Sequence, residues 1–413
     1  MAIRTLPQDF TVEERLTPEF AASLAVGPSP AHPVAIYRLD KQSLTTPDAC
    51  AGLARALGLA PGRVTWAGLK DKHAKTHQHV GALGLDQFPT PAPGSLQGRG
   101  WFARLVGWAP RAPDAADILA NHFEITIRDL TPESVALLES RARELAAAGG
   151  LLLANYFGAQ RFVSARHGQG FAGSALARGD FAEAVRLLIA APARKDVGPR
   201  RIVTRLAAQH WGRWDDLREA LRSDPRAAPS AVPEARALSV LLGGGSAMEA
   251  FAALPHLTQS FAVEAFQSHL WNRTVASMIQ AHAASLGREA LIALDDFGPL
   301  AFLPARDLPT DWLGWSVPML SSQSVPGKPW GEHAKAVLAG EGLTLGQLRV
   351  QGLRRPKFEH VPRPLMVEAQ GFALSPSEPD PLAAAGSGRL LVRARFALRR
   401  GSYATVVLRA IGA

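Results

Sequence analysis

The sequence predicts an α+β protein in which one domain is interrupted by a second, helix-rich one. Three observations carry this reading. Short stretches of apolar and polar residues alternate along residues 10–128, helical patterns separated by Pro- and Gly-rich connections fill roughly residues 155–360, and residues 390–411 return to strand-like runs.

Taken in order, Phe10 to Val12 and Val34 to Arg38 alternate as strands do, and Thr46-Pro47-Asp48 opens a helix that Gly58 closes, with Thr46 as N-cap and Pro47 at the first position. Val64 to Ala67 and His79 to Leu83 read as short strands bracketing the polar segment GLKDKHAKTHQ (68–78), and FPTPAPGSLQGRG (88–100) reads as a loop. In HFEITIR, Phe123, Ile125 and Ile127 share one face while Glu124, Thr126 and Arg128 share the other, as in a half-buried strand. Thr131-Pro132 starts a helix that Gly149-Gly150 ends. Phe181 to Ala191, Trp214 to Leu221 and Phe261 to Leu286 are helical, separated by connections such as DPRAAPSAVP and LLGGGS. RLLVRARF and YATVVLRAI flank LRRGS as a hairpin, and residues 375–388 form a polar loop. No internal repeat is visible.

The 413 residues carry 45 Lys and Arg against 36 Asp and Glu, a net charge of +9 that points to a polyanionic partner. The single cysteine, Cys50, excludes an internal disulfide, and no CxxC or Cys/His zinc spacing occurs. Neither an apolar leader nor a run of membrane-spanning length is present, so a soluble cytoplasmic protein is expected. Nucleotide-binding glycine motifs and the GxSxG elbow are missing, and His73, His77 and His79 lack a carboxylate at ligand spacing, so no metal is expected.

Two clusters carry chemistry. In the first, Asp71 stands between Lys70 and Lys72 after Gly68. It is either an acid balancing lysines on an exposed loop or, if the segment is extended, an acid facing a pocket while the lysines point away toward phosphates. Burial disfavours a charged carboxylate, so the second reading demands another cation beside Asp71. The second cluster, Asn155 to Phe162 (NYFGAQRF), mixes amides and a guanidinium with aromatics. It suits a buried junction or the stacking and gripping of single-stranded RNA.

GLKDKHAKTHQ, the N-x-F of Asn121-His122-Phe123, NYFGAQRF and GSYATVVLR (401–409) occur in that order, with fainter echoes in DFTVEE (9–14), FQSHLWN (266–272) and GLRRPKFEHVPRPL (352–365). Together they resemble the TruD family of tRNA pseudouridine synthases over essentially the whole chain. The resemblance implies the pseudouridine synthase fold, a mixed, mainly antiparallel sheet flanked by helices, with a helix-rich TRUD domain inserted. Its expected limits are residues 1–154 and 361–413 for the catalytic domain and 155–360 for the insert. It further implies isomerisation of a uridine in tRNA, typically at position 13, without cofactor or metal, by a monomer that engages tRNA and no membrane. Asp71 matches the catalytic aspartate, Asn121 and Phe123 the active-site pair, and Arg4 the cation preceding DFxVxE. Lys70, Lys72, His73, Asn155, Phe157, Gln160, Arg161 and Tyr403 are the expected RNA contacts. Ala120 and Val163 stand where the family has glycine. The rival reading is a catalytically silent tRNA-binding or chaperone protein with the same basic, aromatic surface.

Overall fold

The computed structural model describes residues 1–87, 92–194, 196–327, 329–384 and 386–413. Residues 88–91 of the predicted Pro/Gly loop and residue 385 of the polar loop lie outside that description.

The chain opens with β1 (Phe10–Leu16), α1 (Pro18–Ala22), β2 (Val34–Gln42), α2 (Thr46–Ala56), β3 (Val64–Trp66), β4 (Lys75–Leu83), β5 (Ser95–Gly98), β6 (Trp101–Ala109), β7 (Ile118–Leu130), α3 (Pro132–Glu144), β8 (Ala146–Ala147) and β9 (Gly150–Ala154). The middle is helical: α4 (Ala172–Ala177), α5 (Phe181–Ile189), α6 (Gly198–Gln209), α7 (Trp214–Ser223), α8 (Ala235–Leu242), α9 (Ala247–Ala252) and α10 (His256–Ser285). Two small antiparallel pairs follow, the hairpin of β10 (Leu291–Asp295) with β11 (Gly298–Phe302), and β12 (Ser316–Pro318) with β13 (Pro362–Pro364), between which the chain forms α11 (Trp330–Gly340). β14 (Met366–Leu374), β15 (Glu378–Pro379), β16 (Leu390–Leu398) and α12 (Ala404–Ala410) complete the chain.

The chain divides into two compact units, one of Met1–Leu153, Pro304–Arg306 and Val367–Ala413, the other of Ala154–Leu303 and Asp307–Met366. In the first, one sheet runs in the order β5-β6-β2-β4-β1-β7-β16-β14-β9-β8, with β3 beside β4 and β15 beside β16. Only β1 and β4 pair in parallel among the strand pairs whose register is defined; the others are antiparallel. On one face of β2 lie Tyr37, Leu39 and Lys41, all buried, and α2 covers the apolar part of that face with Ala49, Cys50 and Leu53. Burial raises the Cys50 thiol to about 12, as suits a core cysteine. On the opposite face Phe20 of α1 packs with Ile36 and Val34.

Four local readings are corrected. Thr45, not Thr46, caps α2: its Oγ1 accepts from Asp48 N at 3.2 Å. Thr46 is thereby buried and free to bond elsewhere. Ser95–Gly98 of the expected loop is strand β5, paired with β6. The helix begun by Thr131 stops at Glu144, and the chain then turns back as the short β8–β9 hairpin. Residues 404–410, expected as a strand, are helix α12. Ala404, Val406, Val407, Leu408 and Ala410 are all buried, so a short helix enclosed on nearly every side has the continuous apolar run of a buried strand.

β7 carries its expected alternation, yet Thr126 and Arg128 on the polar face are buried. Arg128 is enclosed between two carboxylates. Its Nε and Nη2 donate to Asp9 at 3.0 and 2.8 Å, and its Nη1 donates to Asp380 at 2.7 Å.

In the second unit α10 packs against α4, α11 and β11. Apolar residues surround its 30-residue length, as befits a helix buried on several sides. No helix among the described residues is long and apolar enough to cross a membrane.

Candidate active site

The segment between β3 and β4 delivers Asp71 to the sheet face that carries Lys41, Glu14, Asn121 and Phe123. Pairing places Val12 opposite Thr76 and Phe123, Glu14 opposite Asn121, and Phe123 opposite Phe396, so strand period alone aligns these side chains on one face. The Asp71 side chain is only 12% exposed. Its Oδ2 pairs with Arg4 Nη2 at 3.0 Å, and its Oδ1 accepts from His73 N at 2.9 Å. The Arg4 guanidinium lies 4.4 Å above the Phe10 ring, which holds the cation over the same face.

Beneath the loop sits a lysine that sequence reasoning missed. Lys41, 2% exposed, donates from Nζ to the Asp71 carbonyl at 2.8 Å and, more weakly, to the Lys70 carbonyl at 3.5 Å. Burial depresses its pKa to about 8 even though the Asp71 charge favours the ammonium. The loop is pinned from a second side by Thr46, whose Oγ1 accepts from Lys70 N at 3.1 Å and donates to Gln78 Oε1 at 3.0 Å.

Lys70 departs from expectation. Its ammonium turns inward to Glu14 Oε2 at 2.7 Å and Asn121 Oδ1 at 2.9 Å, and the side chain is 11% exposed. It is therefore paired inside the site and not turned outward as the parity argument expected. The reason is the loop geometry: the segment is not extended, so the parity argument that turned both lysines outward does not hold for Lys70. Glu14 itself is fully buried. Burial pushes its carboxyl up, but the His79 imidazole at 3.6 Å, the Lys70 ammonium and the His79 N–H at 2.9 Å together hold it below the usual carboxylate range. By occupying Asn121 Oδ1, Lys70 fixes that amide so that its nitrogen is the group left to donate.

Phe123 is half-buried, 5.4 Å from Phe396 in a stacked arrangement and 6.1 Å from Phe10 edge to face. Lys72 and His73 are exposed beside Asp71. The three histidines diverge: His77 bonds Asp40 at 2.6 Å, His79 faces Glu14 and His73 is at the surface. Among the described residues no group of three metal-ligating side chains gathers. Tyr403 is half-buried at the start of α12.

The second cluster lies wholly in the other unit and is mostly internal. Asn155 is buried, with Oδ1 accepting from Arg363 Nη2 at 2.8 Å and Nδ2 donating to the Pro364 carbonyl. Phe157 is buried under the Arg363 guanidinium at 3.9 Å, and its backbone is clamped by Asn272 through two 2.9 Å hydrogen bonds. Asn155 and Phe157, expected as exposed RNA contacts, are instead buried and packed on the Arg363 guanidinium, because the fold brings residues 363–364 against them. Gln160 is exposed and Arg161 half-exposed, the latter paired with Glu264 at 2.8 Å. Arg363 was legible only as part of GLRRPKFEHVPRPL.

A carboxylate held beside a guanidinium, a fixed amide donor and an aromatic ring on one sheet face suit chemistry on a flat polar heterocycle. A family model described as TruD, tRNA pseudouridine synthase D, matches residues 1–289. The chain is 26% identical over 383 residues to tRNA pseudouridine synthase D of Aquifex aeolicus, an alignment covering 91% of this chain and 90% of that protein. The crystal structure described as TruD from Methanosarcina mazei matches with a TM-score of 0.68 at 21% identity, over 99% of this chain and 92% of the other, a likeness of fold. With the family model spanning most of the chain, and the relative nearly all of it, the chain belongs to the TruD family of tRNA pseudouridine synthases, isomerases acting on uridine in tRNA.

Proposed function

We propose that this enzyme isomerises uridine 13 of tRNA, with Asp71 as nucleophile, Arg4 as its counter-ion, Asn121 as a donor to the base and Phe123 as the ring against which the flipped uracil rests. The observation that carries the reading is the ion pair at 3.0 Å between Arg4 and Asp71, the latter further secured through its own carbonyl by Lys41. The target must leave the stack before a carboxylate can reach it. The bond from C1′ to N1 then breaks, the base turns, and a bond from C1′ to C5 forms. N1 gains a proton and C5 loses one, so the overall change needs no oxidant or reductant. An ionised carboxylate serves whether it attacks base or sugar or assists a glycal route.

In this reading the second unit is the inserted TRUD domain and supplies further RNA contacts, the exposed Gln160 among them, while Lys72 and His73 of the first unit are exposed beside Asp71. In the same reading the enzyme acts as a monomer in the cytoplasm. The test is tritium release from tRNA labelled at uridine C5, with carbodiimide mapping of the product. Binding without release would favour a silent RNA-binding protein, and release from another position would overturn the assignment to uridine 13.

Replacing Arg4 by Ala should lower turnover about tenfold or more, because the carboxylate loses the ion pair that holds it at 3.0 Å. Arg4→Lys should be milder. Wild-type turnover in both variants would assign the counter-charge to another residue.

For Phe123→Ala the expected loss is about 2 kcal/mol of folding stability, below the 3 to 5 typical of a fully buried Phe, because the ring is only half-buried. Turnover should fall by a further factor that reflects about 1 to 3 kcal/mol of lost base stacking. Phe123→Tyr should retain both properties. Normal turnover per folded Ala molecule, determined alongside thermal melts, would make Phe123 a packing residue only.

A further inference from the structure

The second unit contains a cavity of about 580 Å³ that no step above uses. Its volume lies in the range of sites that enclose one small molecule. Three segments singled out in the sequence for other reasons converge on it: Phe157 and Arg161 from NYFGAQRF, Gln267 from FQSHLWN, and residues 355–364 from GLRRPKFEHVPRPL.

The lining has two chemistries. Met319, Val361 and three prolines give an apolar wall, and the Arg363 guanidinium forms a flat cationic plate. That plate is held in place by Phe157 at 3.9 Å and by the Asn155 carbonyl and side-chain oxygens, each at 2.8 Å. Arg355 and Lys357 are exposed at the opening, and among the described residues neither makes an ion pair. Acceptors also line the cavity. Glu359 contributes a carboxylate, Glu264 contributes one whose Oε2 is paired with Arg161 at 2.8 Å, and Gln267 spends its nitrogen on the Leu320 and Glu359 carbonyls, which leaves its oxygen to accept.

We infer that this cavity is a subsite for one unpaired nucleotide of the RNA, other than the uridine being isomerised, with its phosphate at Arg355 and Lys357 and an amino-bearing base inside. Single-stranded RNA is recognised through splayed bases that lie on aromatic or guanidinium planes, and carboxylates accept from exocyclic amino groups. Uracil offers no amino group, so adenine, cytosine or guanine fits these acceptors better. The inference rests on tRNA being the substrate but not on the roles given to Asp71, Arg4, Asn121 or Phe123.

Two measurements test it on the full chain. Titration with AMP, CMP, GMP and UMP, followed by saturation-transfer NMR, should reveal binding of at least one amino-bearing nucleotide at least fivefold tighter than UMP. That binding should vanish in Ser260→Trp, which fills the cavity from α10. For tRNA, the double variant Arg355→Ala/Lys357→Ala should raise Kd about tenfold and reduce the magnitude of the log Kd against log salt slope by roughly 0.7, the value for the one single-strand phosphate the two side chains share. Ser260→Trp should raise Kd without altering the slope, and Arg222→Ala, an exposed charge paired with Glu219, should change neither. The proposal is overturned if both cavity variants keep wild-type Kd and slope, or if UMP binds as well as the other three. Tritium release by the wild-type enzyme is read separately, so failure of the subsite and failure of the catalytic assignment are told apart.

Discussion

Asp71→Asn is expected to fold and bind tRNA while releasing tritium from uridine C5 at least about 10³-fold more slowly than the wild type, since on the proposed mechanism no other group takes the place of the ionised carboxylate. The fold should tolerate the change. Asn retains an oxygen to accept from His73 N, Lys41 still holds the backbone carbonyl, and Arg4 keeps its place over Phe10. The lost ion pair is partly solvent-exposed, with Arg4 at 29% and Asp71 at 12%, and its removal should cost only about 1 kcal/mol. Single-turnover assays at saturating enzyme separate chemistry from binding. Turnover within tenfold of wild type would remove Asp71 from the nucleophile's role.

Lys41→Met should have the opposite signature, in which stability at pH 7 is kept or raised while turnover falls about 10- to 100-fold. A buried lysine lowered from 10.5 to about 8 binds its proton less well in the folded chain than in the unfolded one. The folded state therefore bears a penalty, about 3 kcal/mol by order of magnitude, at any pH below 8, and sheds it as pH rises from 8 to 10.5. Wild-type stability should climb relative to Lys41→Met across that interval. The charged groups that face Lys41 are Asp71 and Lys70 from the loop, with Cys50 from α2, and the Cys50 thiol at about 12 does not titrate there. Activity should instead fall on the alkaline side near pH 8, as the ammonium that grips the Asp71 carbonyl is lost and the carboxylate drifts from its position. Thermal melts and tritium release across pH 6 to 10.5, on both proteins, check the two halves together. Wild-type turnover in Lys41→Met would reduce Lys41 to a core residue.

Strand parity made part of the catalytic sheet legible, because in β1 and the first half of β4 buried residues alternate with less buried ones, whereas β2 over Val34–Tyr37 and β7 over Ile125–Arg128 are buried on both faces. The same parity marked Lys41, two residues after Leu39 and four after Tyr37, as inward-facing, but a lysine on a buried face contradicts its residue type and was passed over. Lys70 was misplaced for the complementary reason: parity was applied to a segment that is not a strand. α12 escaped because burial on every side erases the helical period. Arg363 could not be assigned from local pattern at all. Its partners Asn155 and Phe157 stand some two hundred residues earlier, and only tertiary packing joins them.

The enclosure of Arg128 by Asp9 and Asp380 governs the order in which the chain can acquire structure on the ribosome. β7 pairs on one side with β1, which is made before it, and on the other with β16, which emerges only after residue 390. Until then the nascent sheet has an open hydrogen-bonding edge at its centre and a guanidinium lacking half its neutralisation, whereas residues 154–303 of the other unit are already available to condense. The unit that is first in sequence is thus last to close, and the waiting edge is the segment most in need of protection from pairing with another nascent chain.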